Sequence, residues 1–80
     1  MKESEEQKAQ RLVGEMLAEA GWKEEELERR GKGDARKARM AARLRAETTL
    51  TWSWIAKRLE MGHWRTASHA VRRSGSKTRA

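Results

Sequence analysis

The 80-residue sequence predicts an all-α domain of four or five helices that ends in a helix-turn-helix. Proline, which breaks or kinks a helix, is absent from the sequence. Apolar residues recur at spacings of three and four in several segments, which is the period of an amphipathic helix. The stretch from Thr51 to Arg73 is typical of two such helices joined by a turn at Gly62, the second with a basic face. No segment shows the alternation of a β-strand.

The composition limits the classes of protein to which the chain can belong. Eighty residues are expected to form one domain, close to the size at which a single core gives marginal stability. The absence of cysteine excludes disulfides and thiolate metal sites. No apolar run reaches the length of a membrane span and no signal peptide is recognisable. We therefore expect no membrane partner and a cytoplasmic location.

The charge of the chain is distributed unevenly around a formal net charge of +7. Residues 1–30 contain six Lys/Arg and nine Asp/Glu, whereas residues 31–80 contain thirteen Lys/Arg and three Asp/Glu. A basic C-terminal portion beside an acidic N-terminal one favours a polyanionic partner, above all nucleic acid. The alternative is a solvated surface whose charge is simply uneven.

The first helix is predicted at about residues 4–20. It opens with a capping-box pattern at residues 4–7 and is followed by Gly21, a typical residue after a helix end. Its apolar stripe is expected to face the core and consists of Ala9, Leu12, Val13, Met16, Leu17 and Ala20.

A short, highly charged second helix is predicted at about residues 23–30. Trp22 is expected to fold back onto the end of the first helix, and Leu27 supplies the buried side chain. The glycines of residues 31–33 permit close approach to a phosphate, but no strand precedes them and the phosphate-loop spacing is missing. We interpret this segment as a connector.

A third helix is predicted from about residue 35 to 47, with Asp34 as its N-cap. Its basic face is either solvated or in contact with DNA phosphates, and consists of Arg36, Arg39 and Arg43 flanked by Lys37 and Arg45. The threonine-rich residues 47–51 are expected to stop the helix, because threonine favours caps and turns.

The last two helices are predicted at about residues 52–61, capped by Thr51, and at about residues 64–74. Gly62 is expected to end the first of them. The residues of the last helix that are expected to face inward are Trp64, Ala67 and Val71. The domain is thus predicted to span residues 1–74, with the helix-turn-helix at about 51–74 and a flexible basic tail at 75–80.

A helix-turn-helix needs a small residue where its helices cross, and Ala56 between Ile55 and Leu59 fits that position. The second helix of such a unit lies in the DNA major groove, where Arg pairs with guanine and Ser, Thr or His contacts base edges or phosphates. The polar residues expected to contact DNA are Arg65, Thr66, Ser68, His69, Arg72 and Arg73. Lys57 and Arg58 are expected to contact the DNA backbone.

The tryptophans allow two interpretations. Trp52 and Trp64 are expected in the core, and Trp54 is expected to pack against the third or first helix. The alternative is that they stack on unpaired bases, as aromatic residues do in single-strand binders.

The turn is one residue longer than in the commonest helix-turn-helix, and this spacing resembles a particular group. The C-terminal DNA-binding domain of the bacterial replication initiator, which is grouped with the Trp repressor, has an Ile and, eleven positions later, a Thr within Thr-Val-Leu-His-Ala-Cys-Arg. Here Ile55 is followed by Thr66-Ala-Ser-His-Ala-Val-Arg72. The matching residues are Thr66, His69, Ala70 and Arg72. The resemblance implies a Trp-repressor-like unit that binds duplex DNA.

A longer resemblance covers roughly residues 15–73. Its motifs are Gly21-Trp22, Lys32-Gly33-Asp34, Ala42-Arg43-Leu44-Arg45-Ala46-Glu47-Thr48-Thr49, Trp54-Ile55-Ala56-Lys57-Arg58-Leu59 and Met61-Gly62-x-Trp64. These resemble the helical region that follows the catalytic domain in some REP-associated tyrosine transposases. The resemblance implies a bacterial, nucleoid-associated DNA-binding part, with a transposase-like protein as a candidate partner.

The sequence favours a protein without catalysis and without a cofactor or metal. Those transposases use a tyrosine nucleophile and a His-x-His metal pair, whereas this chain has no tyrosine and its histidines, His63 and His69, are six positions apart. Ser68 and His69 are adjacent, so a helix points them in different directions.

The function predicted is sequence-specific duplex DNA binding. One alternative is a module that docks a transposase or another protein through the acidic first helix and the tryptophans. A second is binding of hairpin or single-stranded DNA. A unit of this size would hold one half-site weakly, so a homodimer is a further expectation.

Overall fold

The structure is a computed structural model that describes residues 3–76, with side chains described as far as Arg72. Within these residues it is all-α, as predicted, and contains five helices and no strand. The helices are α1 (Glu5–Ala20), α2 (Glu24–Arg29), α3 (Ala35–Glu47), α4 (Trp52–Arg58) and α5 (Trp64–Ser76).

The predicted helix starts are confirmed by their caps. The side chains of Ser4 and Gln7 each accept a hydrogen bond from the other's backbone N–H, at 3.0 and 2.9 Å, which closes the capping box of α1. The Asp34 carboxylate accepts a hydrogen bond of 2.8 Å from the first turn of α3. The Thr51 hydroxyl accepts one of 3.2 Å from the first turn of α4. These bonds satisfy backbone donors that helices leave unpaired at their starts.

The end of α1 also follows the prediction. Gly21 has a φ of 72°, the left-handed conformation that glycine adopts without steric cost. The backbone N–H of Trp22 then donates to the carbonyl of Leu17 at 2.9 Å, so the chain folds back on the last turn. The Trp22 side chain is buried, and the Arg30 guanidinium covers its ring at 4.7 Å.

Helix α3 lies at the centre of the packing and contacts α1, α4 and α5. Large apolar side chains fill the core, among them Leu12, Val13, Leu27, Leu44, Ile55, Leu59 and Met61. Small side chains are buried on the three C-terminal helices, namely Ala38, Ala41, Ala56, Ala67 and Ala70. Alanines permit helix axes to approach closely, because the distance between packed helices depends on the side chains at the contact. The predicted role of Ala56 fits this packing.

Helix α4 is shorter than predicted, and Gly62 does not end it. The helix stops at Arg58, and Glu60 takes the left-handed conformation with a φ of 56°. The N–H of Met61 then donates to the carbonyl of Ala56 at 2.8 Å. This early reversal turns Met61 into the core, where it is fully buried. Burial of a large apolar side chain offsets the cost of a left-handed Glu, about 1–2 kcal/mol.

Lys37 was predicted to flank an exposed basic face, and that prediction is wrong. Its side chain is 0% exposed. The ammonium donates to three backbone carbonyls, those of Leu27, Arg30 and Glu60, so each of its protons has an acceptor. Desolvation by burial lowers the pKa of Lys37, and the Asp34 and Glu60 carboxylates oppose that shift. One buried cation therefore joins the end of α2, the start of α3 and the turn after α4.

In the described part of the chain no helix is long and apolar enough to cross a membrane.

Candidate nucleic-acid interface

One face of α5 carries exposed side chains that can donate hydrogen bonds. Arg65, His69 and Arg72 are spaced by four and three residues, so they lie along a single stripe, and all three are exposed. Ala67 and Ala70, on the opposite side of the helix, are buried against the rest of the domain. Because the alanine side of α5 packs against the domain, the opposite side faces outward. We call Arg65, His69 and Arg72 the α5 basic stripe.

The remaining predicted contact residues of α5 flank this stripe. Thr66 and Ser68 are half-buried, so their hydroxyls lie at its edges. Arg73 falls in α5, but its side chain lies outside the described residues. The inward-facing Val71 is partly buried against the core, as predicted.

His63 organises the start of α5. Its ring nitrogen Nδ1 accepts a hydrogen bond from the backbone N–H of Arg65 at 3.1 Å, and its carbonyl accepts one from Thr66 at 3.0 Å. A histidine therefore takes the position usually held by Ser, Thr, Asp or Asn. This cap was not predicted, because histidine is not a typical capping residue.

Trp64 was predicted to face the core, and the structure contradicts this. The residue is 42% exposed, the largest exposed apolar side chain among the described residues. The centroid of the His63 ring lies 5.5 Å from the centroid of the Trp64 ring, and the Arg65 guanidinium also lies 5.5 Å from the Trp64 ring. The buried side chains of α5 are instead the small Ala67 and Ala70, which permit close approach of the neighbouring helices.

The other tryptophans follow the prediction more closely. Trp52 and Trp54 are partly buried and pack against the core. The Arg45 guanidinium lies 5.5 Å from the ring of Trp52. Trp54 borders a shallow groove together with Gln10, which places it beside α1, one of its two expected neighbours.

Lys57 and Arg58 occupy different environments. Lys57 is exposed on α4. Arg58 donates two hydrogen bonds to the Glu24 carboxylate, at 3.0 and 2.8 Å, and one to Gln10 at 2.7 Å. Its side chain is only 21% exposed. Arg58 thus links α4 to α1 and α2, and contact with a DNA phosphate would require this bridge to open.

The arginines of α3 lie toward α1. Arg36, Arg39 and Arg43 line a groove whose other wall includes Met16 and Glu19. Arg43 also pairs with Glu47 on its own helix, at 2.9 Å. This row therefore borders the α1 side of α3.

A second groove lies beside the start of α5. Its lining includes Ser53 and Lys57 of α4, the turn at Glu60 and Gly62, and the rings of His63 and Trp64. The side chain of Lys32, from the connector between α2 and α3, extends over Gly62, one of the residues that line this groove. A Cβ on Gly62 would lie 3.0 Å from the Lys32 Cδ atom. The approach of Lys32 to Gly62 was not predicted, because the two residues are thirty positions apart in the chain and no local pattern marks the contact.

All charged residues from the start of α5 onward are basic. Residues 61–80 contain five Lys/Arg and no Asp/Glu, so Glu60 is the last acid in the chain. Within the described residues no carboxylate forms an ion pair with Arg65, Arg72 or Lys57. By contrast, Arg11 pairs with Glu3 and Glu15, and Arg29 and Arg30 both pair with Glu26.

The described residues contain no group of three or more His, Cys, Asp or Glu side chains able to hold a metal ion. Comparison with protein-family models, with curated proteins and with solved structures gives no significant match. The fold and the charge distribution define an all-helical domain with an exposed basic face on its last helix.

Proposed function

We propose that this domain binds duplex DNA sequence-specifically through α5, without catalysis. The observation that carries the proposal is the α5 basic stripe: Arg65, His69 and Arg72 are aligned, exposed and opposite the buried side of the helix. A helix presented in this way after a short turn fits the width of the major groove.

The side chains of the stripe have the chemistry that the groove requires. Arg65 and Arg72 each offer a planar donor fork that matches the O6 and N7 acceptors of guanine. His69, between them, donates to base edges or phosphates. Thr66 and Ser68, at the edges, suit contacts to the flanking sugar-phosphate chain, which fix the register of the helix.

Attachment would be driven mainly by charge. The exposed Lys57 on α4 and the basic C-terminal half neutralise phosphates and release their counterions. The acidic α2 is expected to point away from the duplex, because phosphates repel it. The affinity should then fall steeply as the salt concentration rises.

The test is fluorescence anisotropy with a labelled random-sequence duplex over a series of salt concentrations. The wild-type domain should bind with a log–log salt slope of several units. The variant Arg65→Ala/His69→Ala/Arg72→Ala should lose most of its affinity for this duplex and keep its helical circular dichroism. The control Lys23→Ala/Arg29→Ala removes two positive charges, as many as the two arginines of the stripe carry, from exposed positions at α2, and it should bind almost as well as wild type. Equal affinity of the stripe variant and the wild type would refute the proposal.

Sequence specificity needs a separate measurement. Selection from a randomised duplex library should return a short preferred site in which guanines are frequent, since arginine pairs best with guanine. If the selected pool shows no enriched site, the domain binds DNA without sequence specificity, and that part of the proposal is refuted.

A second candidate function is binding of hairpin or single-stranded DNA, and the exposure of Trp64 favours it. A tryptophan that is 42% exposed beside an arginine offers a surface on which an unpaired base can stack. Competition among duplex, hairpin and single strands of the same sequence separates the two functions. Preference for the unpaired forms that disappears in Trp64→Ala would support the second candidate.

The resemblance to the helical region of REP-associated tyrosine transposases supports a further part of the proposal. The domain would serve as the DNA-binding part of a transposase-related or regulatory protein in bacteria. It would act as a homodimer or beside a transposase-like partner, because one helix contacts only a half-site. Size-exclusion chromatography with light scattering, with and without DNA, measures the stoichiometry.

A further inference from the structure

We propose that Lys32, in the connector between α2 and α3, is a DNA-backbone contact, which extends the interface beyond α4 and α5. The inference rests on the proposed function and adds a residue that its sequence position does not suggest. Three observations carry it: the path of the Lys32 side chain, the anchoring of its loop and the charges around its ammonium.

The path of the side chain is set by Gly62. The Lys32 Cδ, Cε and Nζ atoms lie 3.0, 3.4 and 3.5 Å from the point where a Cβ on Gly62 would be. The whole end of the lysine thus runs along the bare backbone of the turn, and a larger residue at position 62 would displace it. The Lys32 ammonium therefore lies beside the turn that precedes α5.

The loop that carries Lys32 is held against the same turn. The buried Lys37 ammonium donates a hydrogen bond to the carbonyl of Arg30, just before the loop, and another to the carbonyl of Glu60, in the turn. The loop is closed by the N–H of Asp34, which donates to the carbonyl of Gly31 at 3.1 Å. Lys32 is therefore attached to a supported loop, which keeps its charge near α5.

The surroundings favour an anionic partner for this charge. Lys57 and His63 line the groove beside Gly62, and Arg65 is the second residue of α5. Glu60 borders the groove as well, yet within the described residues it forms no ion pair. In a helix-turn-helix complex the first helix crosses the DNA backbone and the start of the second helix enters the groove. The turn between them, and Lys32 upon it, then lies beside the phosphates.

The test compares Lys32→Gln, which keeps much of the stem and removes the charge, with Lys32→Arg, Lys32→Ala and the control Lys23→Gln. Affinity for random-sequence duplex is measured over a salt series, and thermal unfolding checks that the variants are equally stable. Lys32→Gln should weaken binding about three- to tenfold for every sequence and reduce the salt slope by about one, as loss of one phosphate contact does. Lys32→Arg should restore both, and Lys23→Gln should change neither.

The other outcomes overturn the inference in distinguishable ways. An unchanged salt slope in Lys32→Gln, with wild-type binding intact, removes Lys32 from the interface and leaves the proposed function standing. Weak binding by Lys32→Ala but not by Lys32→Gln would assign Lys32 to packing on Gly62. Absence of binding by the wild-type domain at low salt would defeat the proposed function and this inference together.

Discussion

The ammonium of Lys37 donates a hydrogen bond to the backbone carbonyl of Glu60, twenty-three residues further along the chain, at 3.0 Å. The same ammonium also holds the carbonyls of Leu27 and Arg30. A buried cation that satisfies three carbonyls is the point at which the acidic N-terminal half is joined to the turn before α5. The position of the proposed interface thus depends on a residue that has no solvent exposure.

Replacing Lys37 with Met should destabilise the domain by about 2–4 kcal/mol. Methionine fills a similar volume but leaves three carbonyls without a donor, and each buried unsatisfied group costs about 1–3 kcal/mol before relaxation. Urea denaturation followed by circular dichroism measures the change. Lys23→Met, at an exposed position, is the matched control and should shift stability by less than about 0.5 kcal/mol. Similar stability of the two variants would mean that water replaces the lost donor.

The Glu24–Arg58 bridge should make stability depend on pH in the acidic range. The hydrogen bonds from Arg58 lower the pKa of the Glu24 carboxyl below its usual value of 4.5. A depressed pKa in the folded state means that the unfolded chain binds the proton more readily. The bridge therefore contributes stability above pH 4.5, and the contribution is lost as the pH falls through the folded-state pKa.

The variant Glu24→Gln isolates this contribution. At pH 7 it should be less stable than wild type by about 0.5–1 kcal/mol, a small value because the carboxylate is largely exposed. The difference should shrink as the pH falls below 4.5, since the wild-type carboxyl becomes protonated too. Urea midpoints at several pH values measure it, and Glu25→Gln, on the same helix, is the control. A difference that is constant with pH would assign the effect to packing.

Tryptophans 64 and 22 should respond very differently to truncation. Trp64→Ala removes a side chain that is 42% exposed and should cost less than about 1 kcal/mol, whereas Trp22 is 8% exposed and its loss should cost about 3–5 kcal/mol. Thermal unfolding of the two variants gives the comparison. A large loss for Trp64→Ala would return this residue to the core, as the helical spacing first predicted.

The helices were predictable because their signals are local. Ser4, Asp34 and Thr51 cap the helices that their sequence context indicates, and Gly21 ends α1. Each of these features depends on residues within one or two turns, so a pattern in the sequence contains the information.

What the sequence did not reveal depends on distant contacts. The helical period places Lys37 beside a basic face. Lys37 is buried because α2 and the turn after α4 pack around its side chain. Trp64 has the spacing of a core residue, but it is 42% exposed, and Ala67 and Ala70 fill the buried side of α5. Arg58 is a basic residue of the type that contacts DNA phosphates, but it is hydrogen-bonded to Glu24, which lies thirty-four positions earlier in the chain. Within the proposed site, the alignment of Arg65, His69 and Arg72 was predictable, whereas the approach of Lys32 was not.

Glu60 offers a test of whether the start of α5 faces DNA. Its carboxylate is exposed, is the last negative side chain before a stretch without acids, and borders the groove that Lys57 and His63 line. A phosphate beside this groove would be repelled by Glu60, so Glu60→Gln should raise duplex affinity about two- to fivefold at low salt, and the gain should fade as salt screens the charge. Anisotropy titrations measure it, and Glu25→Gln makes the same change of net charge on α2. An equal gain in both variants would indicate only a long-range effect of net charge. A larger gain in Glu60→Gln locates the phosphates at the turn, because repulsion between charges falls with distance and only Glu60 lies beside α5.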